Sequence, residues 1–180
     1  EALYSTPAGK NTIVIVLADH GDGMGSHRMV TKQVSFYEEM TNVPFIIAGP
    51  GIHPRQKPVE DLLTQPTIDL LPTLCELAGI PVPSSKPGIS LAPFLKGEKQ
   101  KRQHPYAASE WHSEYEVTVS PGRMIRSPRY KYTHYLEGNG EELYDMLKDK
   151  GERRNLAHDP KYSKILAEHR ALLDDYIRRT

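Results

Sequence analysis

The sequence is poor in cysteine, in long apolar runs and in excess charge of either sign. Its one cysteine, Cys75, excludes an intramolecular disulfide and a zinc site built from several cysteines. No apolar run approaches the roughly 18 residues that a membrane-spanning helix needs. We therefore expect no membrane partner.

Basic and acidic residues balance over the whole chain and within each part of it. Lys and Arg number 23 and Asp and Glu number 23, with ten of each in residues 1–103 and thirteen of each in 104–180. Nucleic-acid-binding surfaces concentrate basic residues, and acidic disordered tails concentrate Asp and Glu. We therefore expect no nucleic-acid partner and no acidic tail.

The chain begins Glu-Ala-Leu-Tyr, without Met and without an apolar leader. We expect it to be a piece of a longer protein. The compartment stays open, because a signal peptide would lie upstream and the lack of disulfide pairs permits both cytoplasm and periplasm. A periplasmic or secreted location is slightly favoured over a cytoplasmic one.

Two continuous apolar runs, at 11–18 and 43–48, predict strands that are buried on both faces, as in a parallel sheet. A predicted helix over 31–41 would connect them as a crossover. Residues 65–79 predict a second helix, which begins near Pro66 and ends at Gly79. At Pro72 it would either bend or divide into two short helices. Its apolar stripe would contain Ile68, Leu71, either Leu74 or Cys75, and Ala78. Residues 81–105 predict a surface connection with a helical turn at 91–95.

The pattern changes after residue 104. Short strand candidates at 106–112, 123–126, 130–135 and 142–144 are separated by turn residues, which is typical of an antiparallel meander. Apolar residues then repeat at helical spacing from Tyr162 to Ile177 and predict a C-terminal amphipathic helix. We expect domains at 1–103 and 104–180.

The first predicted strand runs directly into Asp19-His20-Gly21-Asp22. Ligands of open α/β sheets bind beyond the carboxyl ends of strands, where a carboxylate and an imidazole can bind a metal, orient an anion or move a proton. A turn that closes the strand and leaves His20 exposed is the alternative. The nearby glycines do not form a nucleotide-binding fingerprint, because Ser26 stands where a third glycine is needed.

Residues 13–51, IVIVLADHGDGMGSHRMVTKQVSFYEEMTNVPFIIAGPG, resemble the sulfatase family. Members carry an apolar strand, an S/A-D-H-G-D/E turn, G-x-H, a lysine, Y-E-E and a V-P-hydrophobic strand that ends in G-P-G. The later segments IDLLPTLCELAGIPVP, GISLAPFLKG, RMIRSPRYKY and ELYDMLKDKGERRNLA are also similar to sulfatases. The resemblance covers about residues 11–160.

The resemblance implies an α/β fold: the C-terminal part of an alkaline-phosphatase-like sandwich, plus a small antiparallel sheet subdomain with a C-terminal helix. Asp19 and His20 match a pair of divalent-metal ligands, usually for Ca²⁺. A carboxylate suits calcium better than an imidazole does, so His20 could instead contact the sulfate.

Lys32 matches the lysine that binds the sulfate group and steadies the leaving oxygen, which makes it a candidate catalytic residue. A solvated helix position is its alternative. His27 is expected to shape the mouth of the site, whereas Tyr37 and Glu38 are expected to pack or pair.

The second domain could supply substrate contacts. Trp111 suits stacking on a sugar ring and His112 could bond a hydroxyl or acidic group, with a core position as the alternative for Trp111. Basic residues on the neighbouring strands could bind an anionic sugar or form a solvated face; these are Arg123, Arg126, Arg129 and Lys131.

The family's nucleophile is missing from this chain. Sulfatases make a formylglycine from the Cys or Ser of a C/S-x-P-x-R motif, whereas Cys75 is followed by Glu-Leu-Ala. The family's first pair of metal-binding aspartates is also absent. The resemblance therefore implies a parent enzyme that hydrolyses sulfate esters. Its substrate would be a sulfated small molecule or sugar, and a sulfated carbohydrate is favoured. We expect the chain alone to be inactive and to require the missing N-terminal part, which would carry the formylglycine.

Two other functions stay open. A phosphodiesterase or phosphonate monoester hydrolase of the same superfamily would share the Asp-His turn and differ in its nucleophile. A binding module that kept the fold without catalysis would be a short protein in its own right.

Overall fold

The computed structural model describes residues 2–30, 35–59, 62–84, 87–98, 104–112, 121–138 and 140–180. The strands are β1 (Val14–Leu17), β2 (Phe45–Ala48), β3 (Ala107–Trp111), β4 (Gly122–Arg126), β5 (Tyr130–Tyr135) and β6 (Glu141–Asp145). The helices are α1 (Glu38–Thr41), α2 (Pro66–Leu77), α3 (Ala92–Leu95) and α4 (Ser163–Arg179), and 3-10 turns lie at Pro7–Asn11, Ser26–Arg28 and Pro160–Tyr162. Within the described ranges, every helix is too short or too polar to cross a membrane.

The chain divides into two compact units. The first contains Glu1–Asp19 and Val43–Gln103, and the second contains His20–Asn42 and His104–Thr180. Residues 20–42 therefore belong with the C-terminal sheet. The predicted domains at 1–103 and 104–180 stay a prediction about the whole protein.

In the first unit, β1 and β2 pair in antiparallel register, with Val14 opposite Ala48 and Leu17 opposite Phe45. The prediction of parallel strands was wrong, because the long connection between them permits a return in either direction. The prediction that β1 is buried on both faces was also wrong. Val16 is 49% exposed and Leu17 is 40% exposed, since β2 is the one strand that pairs with β1 in the described structure.

The helix α2 forms where it was predicted and continues through Pro72, and Gly79 follows it at φ +68°. Its predicted buried stripe was wrong. Leu71 and Leu74 are more than 40% exposed, whereas Asp69 and Thr73 are fully buried.

The backbone N–H groups of Ile89 and Leu91 explain why polar residues of α2 are buried while its leucines are exposed. The Asp69 carboxylate accepts from the N–H groups of Gln65 at 2.8 Å and Ile89 at 2.9 Å, and Thr73 Oγ1 accepts from Leu91 N–H at 2.9 Å. A Cβ at Gly88 would lie 2.1 Å from the carbonyl oxygen of Ile68. Residues 88–92 therefore lie directly against the polar face of α2, where their N–H groups need acceptors. The short helix predicted at 91–95 is confirmed as α3.

In the second unit, the strands form the predicted antiparallel meander in the order β3-β4-β5-β6. The helix α4 packs on one face of this sheet. The core beneath it consists of buried apolar and aromatic residues: Tyr106, Ile125, Tyr132, Leu143, Leu156, Leu166 and Leu173. The α/β prediction, with a C-terminal antiparallel sheet and helix, is confirmed.

Residues 20–42 include a segment that lies on the other face of the same sheet. A Cβ at Gly122 would lie 2.8 Å from the Phe36 ring, and Lys131 Nζ donates to the Phe36 carbonyl at 2.9 Å. The helix predicted over 31–41 is shorter in the described residues: 35–37 are not helical and α1 begins at Glu38. The physical reason is that Lys131 engages the Phe36 carbonyl, while the Met40 N–H bonds to the Tyr37 carbonyl.

Candidate functional site

The Asp19-His20 turn follows directly on β1. His20 Nδ1 lies 2.7 Å from the carbonyl oxygen of Gly21. Because a carbonyl oxygen can only accept, Nδ1 carries the hydrogen in the neutral imidazole, and Nε2 carries the lone pair. Histidines that ligate metals commonly donate their other ring N–H to such an acceptor. The geometry of His20 is thus compatible with a metal contact through Nε2, whereas a hydrogen bond to a sulfate oxygen would require a proton on Nε2 as well.

Gly21 lies directly against Glu39 and Met40, so the beginning and the end of the segment 20–42 are in contact. Its N–H donates to the carbonyl oxygen of Met40 at 2.9 Å, and a Cβ at this position would lie 1.7 Å from the carbonyl oxygen of Glu39. No side chain fits there, because even ordinary Cβ contacts need roughly twice that separation. The glycine after His20 is therefore required by close packing.

His27 lies in a strained loop. Met24, His27 and Arg28 have φ values of +48°, +48° and +62°, which are uncommon for residues other than glycine. The His27 ring stacks on the Tyr37 ring with centroids 3.6 Å apart and planes 3° apart. Strain of this kind persists where the surrounding structure holds it, and it is concentrated at functional sites.

A cluster of tyrosines and one carboxylate adjoins Tyr37. The Tyr37 ring lies 6.4 Å from the Tyr144 ring, and the Tyr135 hydroxyl donates to Glu142 at 3.1 Å. Burial raises the pKa of Glu142, and burial together with the Glu142 charge raises the pKa of Tyr37. The sequence reasoning missed this cluster. The alternation of side chains along the two strands would have predicted it. One face of β5 and β6 carries Thr133, Tyr135, Glu142 and Tyr144.

The basic residues predicted to form a solvated face or an anion site are each paired within the protein. Arg123 lies 3.2 Å from Glu110, Arg126 lies 3.4 Å from Glu38, and Arg129 lies 2.7 Å from Asp145. Lys131 is 1% exposed and lies 2.8 Å from Glu38. The expectation that Glu38 pairs is confirmed, and the solvated-face interpretation is wrong for Lys131.

The structure does not bring Trp111 and His112 together. Neighbouring side chains of a strand alternate between its faces, and His112 Nε2 lies 3.0 Å from Glu110, which also contacts Arg123. Trp111 pairs with Gly122, beside the Phe36 ring, and is 38% exposed. Trp111 thus shares a face with residues 20–42 and is not a core residue, whereas His112 belongs to the opposite face.

The remaining candidate, Lys32, lies outside the described residues. Across the described ranges, no three or more His, Cys, Asp and Glu side chains converge as a metal site would require. Asp19 and His20 would therefore need further ligands from elsewhere. The roles of Asp19, His20, His27, Lys32, Trp111 and His112 stay predictions.

The sequence of this chain matches a protein family and a curated relative. Residues 25–179 match the family described as N-sulphoglucosamine sulphohydrolase, C-terminal. The Delta 4,5-hexuronate-2-O-sulfatase of Bacteroides thetaiotaomicron is 78% identical over 180 residues, which cover all of this chain and 37% of that protein.

Two solved structures extend the comparison. That of a 2-O GAG sulfatase has a TM-score of 0.94 and 79% identity, over 99% of this chain and 38% of that one. That of the phosphonate monoester hydrolase of Silicibacter pomeroyi has a TM-score of 0.84 and 28% identity, over 99% of this chain and 37% of that one. The chain thus spans well under half the length of these relatives. Together with the family match, they show that the chain belongs to the sulfatase family and corresponds to its C-terminal portion.

Proposed function

We propose that this chain is the C-terminal part of a sulfatase that hydrolyses the 2-O-sulfate ester of an unsaturated hexuronate. The observation that carries the proposal is the 78% identity, along the whole chain, to a protein with that activity in its name. The reaction converts a sulfate ester and water into an alcohol and inorganic sulfate. The formylglycine that supplies the nucleophile lies outside this chain.

Asp19 and His20 would contribute two ligands to a divalent metal, and Ca²⁺ is the ion we propose. The Asp19 carboxylate suits a hard cation. Donation from His20 Nδ1 to the Gly21 carbonyl orients the imidazole for a contact through Nε2. When bound, the ion would offset negative charge on the sulfate oxygens. The other ligands would come from upstream residues.

Lys32 would bind the sulfate group and stabilise the charge that develops on the leaving oxygen. His27, held in place by the Tyr37 ring, would line the mouth of the site. Trp111 would offer a partly exposed ring to the sugar. His112 would not share this contact, because it pairs with Glu110 on the opposite face of the sheet.

The test uses the complete enzyme that contains this chain and a Δ4,5-unsaturated disaccharide with a 2-O-sulfate. Release of inorganic sulfate from this substrate and from its 6-O-sulfated isomer is measured by ion chromatography. Hydrolysis of a phosphonate monoester is measured separately, by release of its alcohol. We expect turnover of the 2-O-sulfate and a loss of at least 10²-fold in kcat for Lys32→Ala. Faster turnover of the phosphonate ester would favour the hydrolase alternative, which the likeness to the Silicibacter pomeroyi enzyme supports.

The chain by itself tests the metal proposal. A calorimetric titration with Ca²⁺ should show weak binding that Asp19→Asn abolishes, with Asp22→Asn as the neighbouring control. The isolated chain should release no sulfate, because it carries no formylglycine motif. Sulfate release by the isolated chain would contradict the assignment of the nucleophile to the upstream part.

A further inference from the structure

His27 is held by one face of its ring, and its two nitrogens lie at the ring edge. The imidazole stacks on the Tyr37 ring with centroids 3.6 Å apart and planes 3° apart. The residue is half-buried, and within the described ranges neither Nδ1 nor Nε2 has a hydrogen-bond partner. A neutral imidazole offers one N–H donor and one acceptor in the plane of its ring. The fixed ring of His27 therefore presents a donor that the described part of the protein does not use.

Two neighbouring contacts fix the His27 ring. The hydroxyl of Ser26 donates to the Glu39 carboxylate, and this bond holds the pKa of Glu39 below its usual value. One residue further on, the His27 ring lies on Tyr37. A loop that is bonded at residue 26 and stacked at residue 27 leaves the imidazole little freedom to turn. The backbone of His27 has a φ of +48°, and such strain persists where the surrounding structure imposes it.

The same short segment supports the turn that contains the candidate metal ligands. Gly21, which follows His20, donates its N–H to the carbonyl oxygen of Met40 at 2.9 Å. A Cβ at Gly21 would lie 1.7 Å from the carbonyl oxygen of Glu39. Glu39 and Met40 therefore contact both the turn after His20 and the loop that carries His27. The two histidines thus share one support within the second unit.

Two carboxylates interact electrostatically with His27, and both are already bonded to hydroxyl groups. Glu39 accepts from Ser26, and Glu142 accepts from the Tyr135 hydroxyl at 3.1 Å. Neither of these two carboxylates accepts from the imidazole in the described structure, so its N–H stays available to a ligand. The proposed substrate carries a sulfate group and a hexuronate carboxylate. Hydrogen bonds to such charged acceptors are roughly twice as strong as those between neutral groups.

We infer that His27 donates a ring N–H to an anionic oxygen of the substrate, on the sulfate or on the carboxylate, and that Tyr37 and Glu39 are positioning residues for this contact. The inference rests on the proposed function and gives His27 a direct contact with the substrate, beyond a place at the mouth of the site. The stack fixes the direction of the N–H, and the bond from Ser26 fixes the backbone that carries it. Substrate binding therefore requires little further ordering of this side chain.

The test uses the complete enzyme with the 2-O-sulfated unsaturated disaccharide and its carboxyl-reduced form, which keeps the sulfate. Asparagine tolerates a positive φ but lacks the ring, so we expect His27→Asn to lower kcat/KM on the first substrate by about 10–10²-fold. A loss that disappears on the carboxyl-reduced substrate would assign the contact to the carboxylate, and an equal loss on both would assign it to the sulfate. Unchanged kcat/KM on both would overturn the inference. His158→Asn, at an exposed histidine, is the control and should change kcat/KM by less than about twofold.

Conservative variants separate positioning from general damage. Tyr37→Leu removes the stack and should lower kcat/KM towards the level of His27→Asn, whereas Tyr37→Phe keeps the ring and should recover most of it. Ser26→Ala removes the bond to Glu39, whereas Glu39→Gln keeps an acceptor for Ser26 and should be milder. In the His27→Asn background, Tyr37→Leu and Ser26→Ala should cause no further loss, since no contact is left to position. Losses that multiply in these double variants would contradict the positioning roles.

NMR of the enzyme labelled at histidine follows the stack and the contact without turnover. The Tyr37 ring should shift the ring-proton signals of His27 upfield, and Tyr37→Leu should abolish this shift while Tyr37→Phe keeps it. Addition of inorganic sulfate, or of the desulfated disaccharide that keeps the carboxylate, should then move the His27 signals. Signals that respond to neither ligand would overturn the inference even if the enzyme proved inactive on sulfate esters. Inactivity of the unmodified enzyme, with His27 signals that do respond, would count against the proposed function alone.

Discussion

Gly21 donates its N–H to the carbonyl oxygen of Met40 at 2.9 Å, at a place where no Cβ can fit. We predict that Gly21→Ala destabilises the second unit by about 1–3 kcal/mol, because the added methyl forces the two backbone segments apart. The loss is measured as the change in the free energy of unfolding in urea. Gly25→Ala is the matched control: it has open space around it but a φ of +94°, so strain alone should cost about 1 kcal/mol. Equal losses would refute the steric explanation.

Asp69 should be a main contributor to the stability of the first unit. Asp69→Ala would leave the N–H groups of Gln65 and Ile89 without their buried acceptor, at an expected cost of about 2–4 kcal/mol. The check is urea unfolding followed by amide exchange in residues 88–92. The exposed Glu76 on the same helix is the control, and Glu76→Ala should change stability by less than about 0.5 kcal/mol. A small effect at both positions would contradict the role of Asp69.

His169 should make the second unit sensitive to acid. It is buried, with Nδ1 2.8 Å from the Ile165 carbonyl and Nε2 2.9 Å from the Ser127 hydroxyl. Burial lowers its pKa, although the Ile165 carbonyl and Glu168 partly oppose this. The native state therefore binds fewer protons than the unfolded state, where the pKa is about 6.5. Its contribution to stability is complete above about pH 6.5 and is lost as pH falls from there towards the lowered pKa of the folded state.

The measurement is the free energy of unfolding between pH 7.5 and about pH 4.5. We expect His169→Gln to flatten this pH dependence, while the same change at the exposed His158 should leave the slope unaltered. A slope that survives in the His169 variant would assign the acid sensitivity to other groups.

The isolated chain should self-associate, because the first unit exposes several large apolar side chains. Val16, Leu17, Ile46, Leu71 and Leu74 are each 40% exposed or more, and clustered apolar surface promotes association. Replacing both Leu71 and Leu74 by Lys should lower the mass measured by light scattering. Leu147→Lys, at a residue of the other unit that is 66% exposed, should not. A monodisperse monomer of the unmodified chain would contradict the prediction.

Local patterns in the sequence sufficed for much of the fold. The strand predicted at 130–135 is β5 to the residue, and α2 lies within the predicted 65–79. The type of both elements could be predicted from the local spacing of their side chains. The meander could be predicted because its four strands follow one another in sequence.

Two errors in the predicted fold depended on distant groups. The direction of β2 depends on the path of residues 18–44, not on the apolar character of the strand. The buried face of α2 was misassigned because Asp69 and Thr73 serve N–H groups near residue 90, which apolar periodicity does not reveal.

At the candidate site, the turn at Asp19 and His20 could be found from its position after a strand, and the pairing of Glu38 was expected. Strand alternation alone predicts that Trp111 and His112 lie on opposite faces of the sheet. The sequence prediction grouped them because they are neighbours in the chain. The stacking of His27 on Tyr37 and the burial of Lys131 against Phe36 could not be predicted, because both depend on residues 20–42 packing on a sheet formed much later in the chain.

The second unit is discontinuous, and this has a consequence for synthesis. Phe36 and Lys131 are 95 residues apart. At a translation rate of roughly 5–20 residues per second, residues 36–38 leave the ribosome about 5–20 s before their anchor on β5 exists. During that interval Phe36, Tyr37 and Glu38 have no sheet to pack on. Because of this delay, the nascent chain is exposed to proteases and to chaperones at a segment that Lys131 and Glu152 hold in the finished protein.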